Sequence, residues 1–273
     1  MRLIAHLSDL HFGRTDPVVV EALTRDLVQQ KPDLVIISGD LTQRAKSHQF
    51  AEARHFLDRL EIPVLVVPGN HDLAPFYRPL KRLLAPRAKF QKYLPNLAQA
   101  TCWNDEEIIA IGLDSTRHLR WQSGKLRSHH LDRVEESLSN SADHHCKIAF
   151  LHHPPSTARS GHPFQTLTQR GVDLILTGHV HKAHVELIHS AQHGAGVLVQ
   201  ASTACSTRLR EDANGYALIQ VAWPEIRIDV RGWNGLTFHA VRSHGFIKDS
   251  RGWREQDCPL PHAAPRNSPI EEY

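Results

Sequence analysis

The chain has 273 residues, 41% of them hydrophobic, which is ample for a well-filled core in one large domain or two small ones. Its 32 basic and 29 acidic residues leave a formal charge of +3, too weak a bias to require nucleic acid or an anionic membrane as partner. No apolar run reaches bilayer length, no signal-peptide pattern follows Met1, and the four cysteines stand singly; a soluble cytoplasmic protein with reduced thiols is expected, not a disulfide framework or thiolate zinc site.

In chain order, "RLIAHLS" from Arg2 reads as a strand and "DPVVVEALTRDLVQQKP" as a helix. Asp16 can cap that helix, Pro17 suits its first position, and Pro32 follows its end. "DLVIIS" then reads as a buried strand, and "SHQFAEARHFLDRL" as a helix with Phe50, Ala53, Leu57 and Leu60 on one face. "IPVLVV", "EEIIAIGL", "KIAFLH" and "VDLILT" are further strands, with a helix at "SHHLDRVEESL" lining up Leu131, Val134 and Leu138. The basic stretch "YRPLKRLLAPRAKFQK", residues 77–92, reads either as a solvated helix with Leu80, Leu83 and Leu84 inward or as a substrate-facing cap. After Gly178 come "GAGVLVQAS", "GYALIQVA" and "EIRIDVRG", successive strands that suggest an antiparallel set following β-α units. The main domain is placed at 1–240, with 241–273 as an extension, partly irregular or mobile.

Histidine, present 21 times, is the compositional outlier, and imidazole is a common transition-metal ligand. Five hydrophobic strands end directly in polar ligand-type residues: "LSDLH", "IISGD", "VVPGNHD", "AFLHH" and "LILTGHVH". In open α/β sheets, loops at the carboxyl ends of strands converge on one crevice. Asp9 and His11, like His179 and His181, are two apart, so in an extended segment each pair points to one side. Gly39, Gly69 and Gly178 precede Asp40, Asn70 and His179 and let the backbone turn off the strand. Two carboxylates, an amide oxygen and four imidazoles, without sulfur, suit divalent metals of borderline character and exceed what one ion needs. Two metals about 3.5–4 Å apart acidify a shared water and offset charge on attacking and leaving oxygens, which is the logic of phosphoester hydrolysis.

The blocks "DLH" at 9–11, "GD" at 39–40, "GNHD" at 69–72, His152 and "GHVH" at 178–181 resemble, in order, those of the calcineurin-like metallophosphoesterase superfamily, over about the first four-fifths of the chain. The resemblance implies an α/β fold, a four-layer α/β/β/α sandwich of two mixed sheets flanked by helices. It implies a dinuclear centre of Mn, Fe or Zn in which Asp9, His11 and His181 hold one metal, Asn70, His152 and His179 the other, and Asp40 bridges them. It also implies that His71 meets the scissile phosphate as general acid or hydrogen-bond donor. Asp72 is expected to fix the loop or an imidazole tautomer behind these residues. His152 stands two before a proline, as in the family block, with His153 expected to face the opposite way.

"GDLTQRA" and "ASTACSTRLRED" are similar to segments of the bacterial class III cyclic-nucleotide phosphodiesterases. Arg208 or Arg210 could meet an anionic substrate through a planar guanidinium fork, and Asp114, Ser115 and Thr116 end another strand on the same rim, as site or as turn. A small phosphodiester, foremost cAMP, is therefore the expected substrate. Glycerophosphodiesterase, nucleotide-lipid pyrophosphatase and DNA exonuclease are the alternatives within the superfamily, and a non-catalytic scaffold, like the retromer subunit that keeps this fold while losing metal-binding histidines, is the alternative outside enzymes. Neither an obligatory nucleic-acid partner nor a membrane span is expected, and oligomeric state is not encoded legibly.

Overall fold

Strand β1 (Arg2–Leu7) sends alternate side chains to two different cores: Ile4 enters one apolar cluster, Ala5 and Leu7 another. The computed structural model describes residues 1–117, 123–139, 141–154, 163–190 and 194–261; residues 262–273, the end of the expected extension, lie outside them. β1 pairs in parallel with β2 (Leu34–Ile37), and β2 in parallel with β3 (Val64–Val66), through the crossover helices α1 (Pro17–Gln30) and α2 (Ser47–Asp58). Helix α1 starts as its sequence dictates, the Asp16 carboxylate accepting from the Val18 amide with Pro17 next to it.

Beyond β3, a 3-10 turn (Asn70–Asp72) and the short helices α3 (Pro79–Leu84), α4 (Ala88–Tyr93) and α5 (Pro95–Gln99) lead to the second sheet. It contains β4 (Cys102–Asn104), β5 (Ile108–Gly112), β6 (Cys146–Phe150), β7 (Leu174–Thr177), β8 (His184–Ser190) and β9 (Gly194–Gln200), in the order β4-β5-β6-β7-β9-β8, with α6 (Ser128–Leu138) and α7 (Pro163–Gln169) outside. The chain then returns to the first sheet with β10 (Gly215–Ala222), β11 (Glu225–Trp233), β12 (Phe238–Asp249) and β13 (Gly252–Gln256), giving the order β13-β12-β11-β10-β1-β2-β3.

Three apolar layers bind the elements into the expected α/β/β/α sandwich. Leu23, Leu27, Phe50 and Phe56 of α1 and α2 pack on Leu7, Ile37 and Val66. Ile4, Ile36 and Ile219 meet Ile148, Phe150 and Leu176 between the sheets, and Ile111 and Ile175 meet Val134 and Leu167 beneath α6 and α7. β2 and β7 are buried along their whole length, which is why they read as unbroken apolar runs. Register sets the functional rim: Leu7, Ile37 and Val66 align across the first sheet, and Gly112, Phe150 and Leu176 across the second. The residues a few positions further along all six strands therefore emerge side by side.

Several expectations are corrected. β9 is antiparallel to β8, as expected, but also parallel to β7, so the antiparallel strands after Gly178 are shared between the two sheets and do not form one set. Residue 240, expected as a boundary, lies inside β12, and residues 241–256 continue the sheet. Asp173, before β7, receives hydrogen bonds from Lys248 and Trp253, tying those strands across the sandwich. Leu80, Leu83 and Leu84 face outward. Helix α3 is rotated because Arg82 is the buried residue, donating to the carbonyls of Ala74 and Arg117 and lying over the Phe76 ring.

A buried ionic node fixes α1 to the returning strands: the Asp26 carboxylate accepts from the Tyr216 hydroxyl at 2.6 Å and from the Arg231 guanidinium at 2.7 and 2.9 Å. Asp26→Ala leaves that guanidinium without its counter-charge, so unfolding in urea should show a loss of about 3–5 kcal/mol.

Candidate metal centre

Five of the seven expected ligands sit in a backbone region that L-residues rarely adopt: Asp9 (φ 52°), His11 (52°), Asp40 (54°), His179 (71°) and His181 (60°). Such strain persists only where the surroundings hold it, and it clusters at functional sites. The glycines of the motifs answer to close approach. A Cβ on Gly69 would lie 2.1 Å from Asp40 Oδ1, and one on Gly178 would lie 1.7 Å from Ser8 Oγ.

Asp9, His11 and His181 form one group. Asp9 Oδ1 is buried without a hydrogen bond, 3.0 Å from His181 Nε2 and 3.5 Å from His11 Nε2, and the two imidazole nitrogens are 3.1 Å apart. Asp9 Oδ2 is held by the Ser8 hydroxyl and the His179 amide. Asn70, His152 and His179 form the second group, with His152 Nε2 at 3.1 Å from Asn70 Oδ1 and 3.3 Å from His179 Nδ1. Asp40 lies between them. Its Oδ2 is 3.3 Å from His152 Nε2 and 3.8 Å from His11 Nε2, while Oδ1 accepts from the His71 amide.

Groups behind these residues set their orientation. His152 directs Nδ1 at the Ser38 carbonyl and His181 directs Nδ1 at that of Arg208, so each presents Nε2 to the centre. Burial opposes ionisation of Asp40 and Asp9, but the surrounding imidazoles outweigh it and hold both carboxyls below the usual range. For His152, burial acts to lower the pKa, but the Asp40 carboxylate outweighs it and raises the value to about 9. A buried carboxylate oxygen without a hydrogen bond, facing imidazole nitrogens in a sulfur-free set, is the environment a divalent cation fits.

Asp72 accepts from the amides of Leu41, Thr42 and Gly69 and from the Thr42 hydroxyl, pinning the loop after β2 to the loop after β3. It therefore braces backbone, not an imidazole tautomer. Burial and the Asp40 charge push its carboxyl up to about 6. His71 directs Nδ1 at the Gln43 carbonyl (2.7 Å) and Nε2 toward Arg208 Nη1 (3.3 Å), and burial lowers its pKa. Arg208 thus reaches the site. Arg210 is exposed, and no hydrogen bond or ion pair among the described residues brings it there.

His153 does not face away. Its ring centroid is 4.6 Å from that of His179, and Nδ1 is 3.0 Å from Ser115 Oγ. The doubled histidine before the proline was its only sequence signal. Asp114 accepts from the Thr116 amide and hydroxyl in a local turn and pairs with Arg87, so of that trio Ser115 alone touches the histidine cluster.

The calcineurin-like phosphoesterase sequence profile matches residues 2–183, two-thirds of the chain, including every loop that carries an expected metal ligand. This chain belongs to the calcineurin-like phosphoesterases. Members of this family are metal-dependent, in keeping with the donor clusters described above. Among similar proteins, the glycerophosphodiester phosphodiesterase GpdQ of Enterobacter lignolyticus is 28% identical over 202 residues, covering 66% of this chain and 70% of that protein. A probable cyclic nucleotide phosphodiesterase of a Pseudoalteromonas species is 31% identical over 204 residues (65% and 70%). The 3',5'-cyclic adenosine monophosphate phosphodiesterase CpdA of Haemophilus influenzae is 25% identical over 213 residues (73% and 72%). This phosphoesterase also shares its fold with a dimetal phosphatase from Danio rerio (TM-score 0.59, 13% identity, 85% of this chain and 96% of that one). The yellow lupin purple acid phosphatase PPD1 is a further fold match (TM-score 0.65, 13% identity, 92% and 54%).

Proposed function

We propose that this phosphoesterase is a dinuclear metal-dependent phosphodiesterase acting on small diesters, foremost 3',5'-cyclic nucleotides such as cAMP. The observation that carries the two-metal reading is the position of Asp40, whose Oδ2 faces His11 of one donor group and His152 of the other. In this reading Asp9, His11 and His181 hold one cation, Asn70, His152 and His179 the second, and Asp40 both. Bound there, the cations supply activation of water and neutralisation of charge on the phosphoryl oxygens. The chain's own residues do the rest. His71 and Arg208, adjacent on the open side, receive the phosphodiester anion: the guanidinium donates to its oxygens, and His71 Nε2 lies where a proton can pass to the leaving oxygen. The donor pairs are intact, which supports an enzyme over a scaffold.

The GpdQ relative supports glycerophosphodiesters as the second reading. The deciding measurement is kcat/KM with Mn2+ for cAMP, other cyclic nucleotides, glycerophosphodiesters, nucleotide-diphosphate lipids, single-stranded DNA and bis-p-nitrophenyl phosphate, alongside metal content. Cyclic nucleotides are expected to lead. Faster turnover of glycerophosphodiesters establishes the second reading, preference for p-nitrophenyl phosphate over every diester replaces both with a monoesterase, and no turnover with any metal restores the scaffold.

A further inference from the structure

Helix α3 is amphipathic but turned outward. Leu80, Leu83 and Leu84 occupy one face by their spacing and are 72%, 59% and 78% exposed, and Phe76 and Tyr77 beside them are 49% and 65% exposed. Clustered apolar exposure of this kind marks an interaction surface. The charge around it is one-signed. From Leu73 to Asn104 the sequence has six lysines and arginines and no acidic residue, a local bias that the whole-chain charge of +3 conceals. Arg82 is buried and Arg87 is paired with Asp114, but Arg78 and Lys81 flank the leucines in sequence, and Lys89 and Lys92 follow on helix α4.

Beside the helix lies a cavity of about 370 Å³ whose lining joins alanines, prolines and Tyr77 to the cations Lys46, Arg78, Lys81 and Lys89. No carboxylate lines it. Lys89 donates to the Ala45 carbonyl, and burial, then the charges of Arg78 and Lys81, lower its pKa, as expected where cations gather without a counter-ion. Ala74, two residues past the turn that carries Asn70, His71 and Asp72, lines the cavity.

From these features we infer that residues 74–92 dock the protein on an anionic phospholipid bilayer, the three leucines entering the acyl boundary and the cations Lys46, Arg78, Lys81 and Lys89 taking lipid phosphates. Charge complementarity favours this occupant over a second copy of the chain, whose matching face would bring the same unbalanced cations together. Apolar insertion joined to a basic patch is the two-signal combination that peripheral binding requires. The rim containing His71 would then face the membrane.

The test is sedimentation of the full chain with vesicles of phosphatidylcholine alone or mixed with phosphatidylglycerol, at low and high salt. Binding at least ~10-fold stronger to the anionic vesicles, weakened by salt, is expected from these cations. Replacing all three leucines (Leu80→Ser, Leu83→Ser, Leu84→Ser) should reduce it ~10²-fold or more. Arg78→Glu with Lys81→Glu should abolish the preference for phosphatidylglycerol. Because all five positions are exposed, the melting temperature and turnover of bis-p-nitrophenyl phosphate should be unchanged, so the outcome does not depend on which diester is the natural substrate. Absence of binding to anionic vesicles overturns the inference, as does equal binding by the leucine variant. A dimer that the leucine changes dissociate, with vesicle binding untouched, assigns the face to self-association instead.

Discussion

Asp40→Asn should lower kcat/KM for a phosphodiester by more than ~10³-fold, beyond the ~10²–10³-fold typical of losing one preorganised electrostatic group, because this carboxylate faces both donor clusters. Asparagine is the informative replacement. It keeps the shape, tolerates the left-handed backbone that Asp40 adopts at φ 54°, and retains an oxygen to accept the His71 amide. Only the charge is lost. Metal content after dialysis against Mn2+ should fall with activity, and the metal-free protein should melt lower than wild type at neutral pH. The imidazoles that hold the Asp40 carboxyl below its usual range, His152 first, lose their counter-charge, and relief of the repulsion with Asp72 offsets only part of that loss. Full activity and full metal content in this variant would show that the two clusters act separately and that Asp40 does not join them.

How much of this was legible in the sequence depends on what each residue does. The parallel strands of the sandwich were readable because they are buried on both faces, which makes "LVII" and "LILT" apolar throughout. β8, β12 and β13 carry no such signal, because buried, partly buried and exposed positions mix without a period of two along β12 and β13, and Glu186 breaks the short apolar stretch of β8. At the rim, the converging residues were visible as polar blocks ending apolar runs. Their strained backbone was not, since a positive φ at a non-glycine residue leaves no mark in composition. Periodicity placed Leu80, Leu83 and Leu84 on one face, but not which way that face turns. Arg82 decided it by finding the carbonyls of Ala74 and Arg117 inside, a long-range pairing no local pattern encodes. His153 escapes the alternation rule for a related reason: alternation holds within a strand, and β6 ends at Phe150.

His71→Ala should leave metal content near normal and reduce kcat by ~10²–10⁴-fold, the range for a positioned general acid. The ring is fixed from outside the donor clusters, with Nδ1 directed at the Gln43 carbonyl, so its removal deletes a reactive nitrogen without unbuilding the centre. Two roles are open to Nε2, and the leaving group separates them. A cyclic nucleotide expels an alkoxide, which needs a proton, whereas bis-p-nitrophenyl phosphate expels a stabilised nitrophenolate that needs little help. Proton donation by His71 therefore predicts a much larger loss with cAMP than with the nitrophenyl diester. Equal losses would mean that Nε2 contacts the phosphoryl oxygens, sharing that task with Arg208 at 3.3 Å, and Arg208→Ala should then raise KM while sparing the leaving-group dependence. Loss of metal from the His71→Ala protein would assign the histidine to holding the loop and leave proton transfer to another group.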